Sequence, residues 1–282
     1  MLKQTTIGNS KPLDFLLIDG SYYCFYRYYA LHSWWKLAKQ NEELIDPSEN
    51  EEFIEKYKKT FIEKIKEISK KLKLNNPVIL VGADCPRKEI WRMSYYNNYK
   101  EHRDKDDSHL VGKFFQIAYN ENLFIKAGVG KILKHDKLEA DDCLAITTKH
   151  ILNKYSNSRI FIIASDMDYL QLAEERVTIY DLKYKNISEK KSSSGDSKKD
   201  LMLKILVGDK SDNILPVFEK CGKKTAESLC NLNEDDLLEA LKKKGGEKAI
   251  ENYKRNRLLV DFNNIPEELV NSFKTTCLNI KS

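Results

Sequence analysis

Short apolar runs in this 282-residue chain repeatedly end in carboxylates, and that repetition limits the fold more than any other feature. Leu16-Leu17-Ile18 runs into Asp19, Ile79-Leu80-Val81 is followed by Asp84, and Phe161-Ile162-Ile163 by Asp166 and Asp168. Glu139, Asp141 and Asp142 open an apolar helical stretch, and Asp209 and Asp212 lie in Gly208-Asp209-Lys210-Ser211-Asp212-Asn213. A buried carboxylate without a partner is costly, and several like charges brought together are worse. Divalent cations relieve that repulsion most simply. All-oxygen sites of this kind suit Mg²⁺ or Mn²⁺, and two ions in one site suggest phosphodiester chemistry.

The apolar pattern between the acids alternates in type. Residues 14–19, 77–81, 129–133, 159–164 and 177–180 read as short buried strands. Gly20-Ser21 breaks the first strand, an aromatic-rich helix is expected after it through Leu31, and a loop over 39–52. A long amphipathic helix follows, with Phe53, Tyr57, Phe61, Ile65, Ile68 and Leu72 on one face. Helix is also expected over 110–126 and 138–154. Residues 85–107 carry no clean period. This order predicts an α/β fold with a mostly parallel sheet flanked by helices. Ser192-Ser193-Ser194-Gly195 marks a low-complexity link. Beyond it, residues 201–206, 225–229, 234–242 and 247–259 read as helices of a smaller subdomain.

Composition narrows the class. Hydrophobic residues make up 41% of the chain, enough for one large core and a helical annex. The net charge of +5, from 48 basic and 43 acidic residues, permits nucleic-acid binding without demanding it. The six cysteines form no C-x-x-C pair, so a reduced, intracellular protein is expected rather than a zinc or secreted one. No apolar stretch has the length of a membrane span or a signal peptide.

In a parallel sheet, ligands bind beyond the carboxyl ends of the strands. Asp19, Asp84, Asp166 and Asp168 each follow a strand, so they should emerge on one edge. Glu139 and Asp142 are one helical turn apart, with Asp141 beside them. Each acid alone is ordinarily a helix cap or turn residue. Several strand ends delivering carboxylates to one edge favour a metal site over coincidence.

Taken in order, Leu16-Leu17-Ile18-Asp19-Gly20-Ser21, Ala83-Asp84, Glu139-Ala140-Asp141-Asp142, Ser165-Asp166-Met167-Asp168-Tyr169-Leu170-Gln171-Leu172 and Gly208-Asp209-Lys210-Ser211-Asp212-Asn213-Ile214 resemble the flap endonuclease/5′-nuclease superfamily. The likeness is to bacteriophage and viral 5′-3′ exonucleases and to the 5′-nuclease domain of bacterial DNA polymerase I. It implies a PIN-like nuclease core over 1–190, with an arch at about 85–126. A helical DNA-binding subdomain over 191–282 would follow, with a helix–hairpin–helix (helix–three-turn–helix) element at about 208–230. It implies two Mg²⁺, replaceable by Mn²⁺. Asp19, Asp84, Glu139 and Asp141 would surround one ion and Asp166, Asp168 and Asp209 the other, with Asp142 and Asp212 helping directly or through water.

The resemblance extends to Tyr99-Lys100-Glu101-His102-Arg103. It gives Lys100 and Arg103 to the scissile phosphate, Tyr99 to base stacking, and Arg87, Lys88 and Arg92 to nearby phosphates. Gly222, Lys223, Lys224 and Thr225 match the end of the duplex-gripping element, which in relatives often holds K⁺. Here the 216–222 turn departs, with no glycine before Gly222 and about one extra residue, which leaves the K⁺ open. The expected activity is structure-selective cleavage of DNA at 5′ flaps, nicks, gaps or RNA primers, leaving a 5′-phosphate and a 3′-hydroxyl. A monomer that meets replication proteins is expected. Alternatives are a non-catalytic branched-DNA-binding factor, a PIN-type ribonuclease, and an aspartyl phosphatase; the last lacks the required Asp-x-Asp after the first strand.

Overall fold

A computed structural model describes residues 12–39, 44–101, 108–190 and 193–278. The sheet has five strands, all parallel, in the order β3-β2-β1-β4-β5. They are β1 (Leu13–Asp19), β2 (Val78–Gly82), β3 (Lys131–Leu133), β4 (Ser158–Ile163) and β5 (Val177–Tyr180). β1 is central because both its faces are apolar. Phe15 and Leu17 point into one core, and Leu16 and Ile18 into the other. The strand order reverses direction at β1, so the carboxyl ends of β1, β2 and β4 frame the topological switch point, where open parallel sheets bind ligands.

One face of the sheet is covered by α1 (Gly20–Ala38), α2 (Glu51–Lys71), α3 (Ser108–Asn120) and the single turn α4 (Leu123–Lys126). In α2 the stripe Phe53, Tyr57, Phe61, Ile65 and Ile68 is wholly buried, each large apolar side chain contributing about 1.5–3 kcal/mol. Asn50 caps α2 by accepting from the Phe53 N–H at 2.9 Å. α1 runs past the expected stop at Leu31 because Trp35 is buried against Phe53, with ring centroids 5.3 Å apart.

The other face carries α5 (Ala140–Lys154) and the last described residues, including α9 (Glu267–Phe273). Phe262, Ile265, Leu269 and Phe273 join the same core as Phe15, Leu17 and Ile162. Gly82 lets α5 approach β2. A Cβ there would lie 2.7 Å from the Ala140 carbonyl and 2.8 Å from Leu144 Cγ.

A third core is formed by α6 (Ser197–Val207), α7 (Lys223–Leu229) and α8 (Glu234–Val260) with Cys85, Ile90 and Tyr99. The two helices expected over 234–259 are one run broken at Gly246, whose φ is 66°. The irregular stretch after β2 forms short 3₁₀ turns at Arg87–Glu89 and Trp91–Ser94. All six cysteines are free thiols. Among the described residues, no helix is long and apolar enough to cross a membrane.

Candidate metal centre

Asp19 ends β1 and doubles as the N-cap of α1. One carboxylate oxygen accepts from the Tyr22 N–H at 2.9 Å, the other from the Tyr169 hydroxyl at 2.8 Å. Asp84 follows β2 and accepts from the Ala140 N–H at 2.7 Å and from the Ser21 hydroxyl. That bond ties the end of β2 to the first turn of α5, which brings Glu139 and Asp141 alongside. Asp166 follows β4 and caps the next turn by accepting from the Asp168 N–H at 3.0 Å. The strand ends therefore deliver their acids to one edge.

Two groups of carboxylates come within bonding reach of a single ion. Glu139, Asp141 and Asp142 offer oxygens all within 4.8 Å of one another, and so do Asp168, Asp209 and Asp212. Tyr99 connects them, its hydroxyl lying 3.0 Å from Glu139 Oε2 and 3.3 Å from Asp212 Oδ2. The donors are all carboxylate oxygens, which fits a hard divalent cation. Asp19, Asp84 and Asp166 flank these groups at the strand ends.

The electrostatics divide the acids into two kinds. Burial, the Asp84 charge and the Asp166 charge push the Asp19 carboxyl up to about 6, against the two hydrogen bonds it accepts. Burial likewise raises Asp168 to about 6, despite the Lys204 cation. Asp141 is pushed well above the usual range by burial and by its neighbours Asp142 and Glu139. Glu139 goes the other way: burial is outweighed by the Lys100 and Arg92 cations, which hold it low. For Asp209, burial is outweighed by Lys204 and the Ser211 donors, leaving it at about 2.

Arg92 and Tyr99 call for correction. Both were expected at the nucleic-acid surface, yet each is only 2% exposed. Arg92 donates to Glu139 at 2.9 Å, to both oxygens of Asp142 at 2.7 and 2.8 Å, and to the Leu259 carbonyl at 2.7 Å. Its guanidinium lies over the Trp91 ring, whose N–H also donates to Asp142 at 2.9 Å. With four of its five N–H donors committed to these partners and its side chain closed off from solvent, the guanidinium does not face a phosphate. Tyr99 spends its hydroxyl on the acids and its ring on the third core, so it offers no stacking face.

Lys100 lies at the centre, donating to Glu139 at 2.5 Å and standing 3.8 Å from Asp212. Arg103 lies outside the described residues. Arg87 donates to the Lys100 carbonyl, and Lys88 is exposed on the same short turn. Gly222, Lys223 and Lys224 are exposed at the start of α7, and Thr225 is half-buried there. A cavity of about 490 Å³ connects the second acidic group to that helix, with Asp168, Asp209, Lys204 and Lys223 among its walls.

Several residues of the centre were not anticipated. Lys204 donates to Asp168 and lies 2.6 Å from Asp209. Its signal was present as the lone cation in Leu201-Met202-Leu203-Lys204-Ile205-Leu206-Val207. Tyr169, which orients Asp19, stood inside the motif around Asp166 and Asp168 without a role of its own, and Trp91, which orients Asp142, gave no signal beyond being aromatic.

Comparison with known proteins gives the family and the fold. Ribonuclease H of Enterobacteria phage T4 is 27% identical over 216 residues, covering 69% of this chain and 67% of that protein. DNA polymerase I of Treponema pallidum (strain Nichols) is 31% identical over 148 residues, which is 49% of this chain but 14% of the polymerase. Two solved structures share the fold. One is the flap endonuclease of bacteriophage T5 in a pseudo-enzyme–product complex with DNA and metal ions, with TM-score 0.65, 18% identity, and 93% of this chain and 97% of that one covered. The other is the T5 5′-exonuclease with bound zinc, with TM-score 0.66, 20% identity, and 95% and 99% covered. The family model of the 5′-3′ exonuclease N-terminal, resolvase-like domain matches residues 14–199, and the chain accordingly belongs to the 5′-3′ exonuclease family.

Proposed function

We propose that this chain is a divalent-metal-dependent, structure-selective 5′-nuclease. It acts on DNA bearing 5′ flaps, nicks, gaps or RNA primers and leaves a 5′-phosphate and a 3′-hydroxyl. The observation that carries the reading is the pair of carboxylate groups, joined through Tyr99, on the carboxyl edge of a parallel sheet. Glu139, Asp141 and Asp142 would hold one divalent cation and Asp168, Asp209 and Asp212 another, and such a pair would supply an activated water and neutralise the leaving oxygen. Mg²⁺ or Mn²⁺ as those ions, and K⁺ at the 208–230 element, belong to this proposal by family resemblance.

The chain's own residues prepare the site. Arg92 and Trp91 hold Asp142, and Arg92 and Tyr99 hold Glu139, so the first acidic group is rigid before substrate arrives. Tyr169 and the Tyr22 N–H fix Asp19. Lys100, between Glu139 and Asp212, can turn its ammonium toward a phosphate that gains charge in the transition state. Lys223 and Lys224 offer cations to duplex phosphates without reading sequence. The decisive experiment compares labelled flap, nicked, gapped and RNA–DNA substrates in Mg²⁺ for wild type, Asp141→Asn and Asp166→Asn. Each variant should fold normally and cease to cleave; wild-type cleavage by either would refute the site.

A further inference from the structure

The second acidic group uses only one end of a longer hollow. Asp168, Asp209 and Lys204 line that end, and the cavity of about 490 Å³ continues from them toward α7. Cavities that hold small molecules run from about 300 to 1,000 Å³. The apolar wall comes from two elements: Met167 and Leu170 from the 3₁₀ turn after β4 (Met167–Leu172), and Leu201, Leu203 and Val207 from α6.

The charged lining is unbalanced. Lys199, Lys204 and Lys223 stand against Asp168, Asp200, Asp209 and Glu227, so the carboxylates outnumber the cations. Lys204 is already engaged with Asp168 and Asp209, and Asp200 accepts from the Ser193 hydroxyl at 2.8 Å. An anion therefore gains nothing from the metal-free cavity. A divalent cation shared by Asp168, Asp209 and Asp212 reverses the sign at that end and leaves the apolar wall as it is. The occupant this arrangement fits has an anionic head with a broad, weakly polar body beside it. A nucleoside 5′-monophosphate has both, and the proposed reaction leaves a 5′-phosphate.

We propose that this cavity is a subsite for a single nucleotide. A nucleoside 5′-monophosphate unit sets its phosphate at the end lined by Asp168 and Asp209 and lays its base along the wall of Met167, Leu170, Leu201 and Leu203. The proposal rests on the nuclease reading above and adds to it the place where one nucleotide beside the cut is held. Because the acids repel a phosphate until a cation arrives, nucleotide and ion bind there cooperatively, each raising the affinity for the other by the same factor.

The test uses the full chain, Mn²⁺ and dAMP, with 8-azido-dAMP as a photolabel. Calorimetry should show dAMP binding in Mn²⁺ and an affinity lower by about tenfold or more in EDTA. On wild type the photolabel should fall within residues 167–171 or 193–207, and labelling confined to other segments would place the nucleotide elsewhere and overturn the proposal. Leu203→Trp, which fills the cavity, should weaken dAMP at least about tenfold while Mn²⁺ affinity stays within about twofold. If Leu203→Trp binds dAMP as wild type does, the base does not lie on this wall and the proposal is wrong. If that variant fails to fold or loses Mn²⁺ as well, the wild-type photolabel map decides. Wild type that binds Mn²⁺ but not dAMP has a metal centre without this subsite. Wild type that binds no Mn²⁺ lacks the metal centre, and both readings fall.

Discussion

Replacing Arg92 by methionine tests the electrostatic argument most directly. The side chain makes four hydrogen bonds, three of them to Glu139 and Asp142, which are 4% and 0% exposed. Methionine matches much of the stem but none of the charge, so Asp142 would remain buried without a cation and Glu139 would keep only Lys100. Breaking a buried pair by removing one partner costs about 3–5 kcal/mol. For a chain of this size that is a fall of roughly 10 °C in melting temperature. Arg92→Lys should recover only part of the loss, since one ammonium cannot replace a planar fork that reaches both acids and the Leu259 carbonyl. The assay is thermal or urea unfolding in EDTA at neutral pH. Pairing Arg92→Met with Asp142→Asn should return part of the stability, because the stranded charge is then removed. If Arg92→Met leaves the melting temperature unchanged and instead weakens DNA binding, Arg92 is a phosphate ligand and the burial argument fails.

The remaining expectations concern the charged centre itself. With Asp19 and Asp168 at about 6 when folded and near 3.8 when unfolded, the folded metal-free protein holds extra protons between those values. Their contribution to stability is therefore complete below the unfolded pKa and lost as pH rises through 6, up to about 3 kcal/mol for each group. Melting in EDTA should thus be higher at pH 5 than at pH 7.5, and saturating Mg²⁺ should shrink the difference; a steady rise with pH in EDTA would contradict this. Lys204→Met should lower stability in EDTA by leaving Asp168 and Asp209 unscreened, and should enlarge the thermal gain on adding Mg²⁺. An unchanged Mg²⁺ response would show that Lys204 does not share the second acidic group with the ion.

The parts of the molecule that follow from local pattern were legible in the chain. β1 and α2 could be read because apolar runs and a helical stripe are decided by near neighbours. The acids stood out because each interrupts or ends such a run. Their cationic partners did not. Arg92 meets Glu139 and Asp142 from 47 and 50 positions away, and Lys204 meets Asp168 from 36. An arginine in a stretch rich in Tyr, Asn and Lys looks solvated until tertiary neighbours close over it. The extension of α1 had the same cause. The local pattern carries that helix only through Leu31, and the packing of Trp35 on α2 takes it onward.

The path of the last described residues has a consequence for how the chain can be divided. After α8 the backbone returns to the sheet: the Phe262 carbonyl accepts from Lys149, its N–H donates to Gln171, and the Cys277 carbonyl accepts from Lys131. Phe262, Ile265, Leu269 and Phe273 thus finish a core begun by β1. Residues 14–199, the span shared with the family model, lack that closing layer. Cut out alone, they would present a greasy, unclosed sheet face to water and tend to aggregate. A module boundary drawn along the sequence is therefore not a boundary at which this protein can be taken apart.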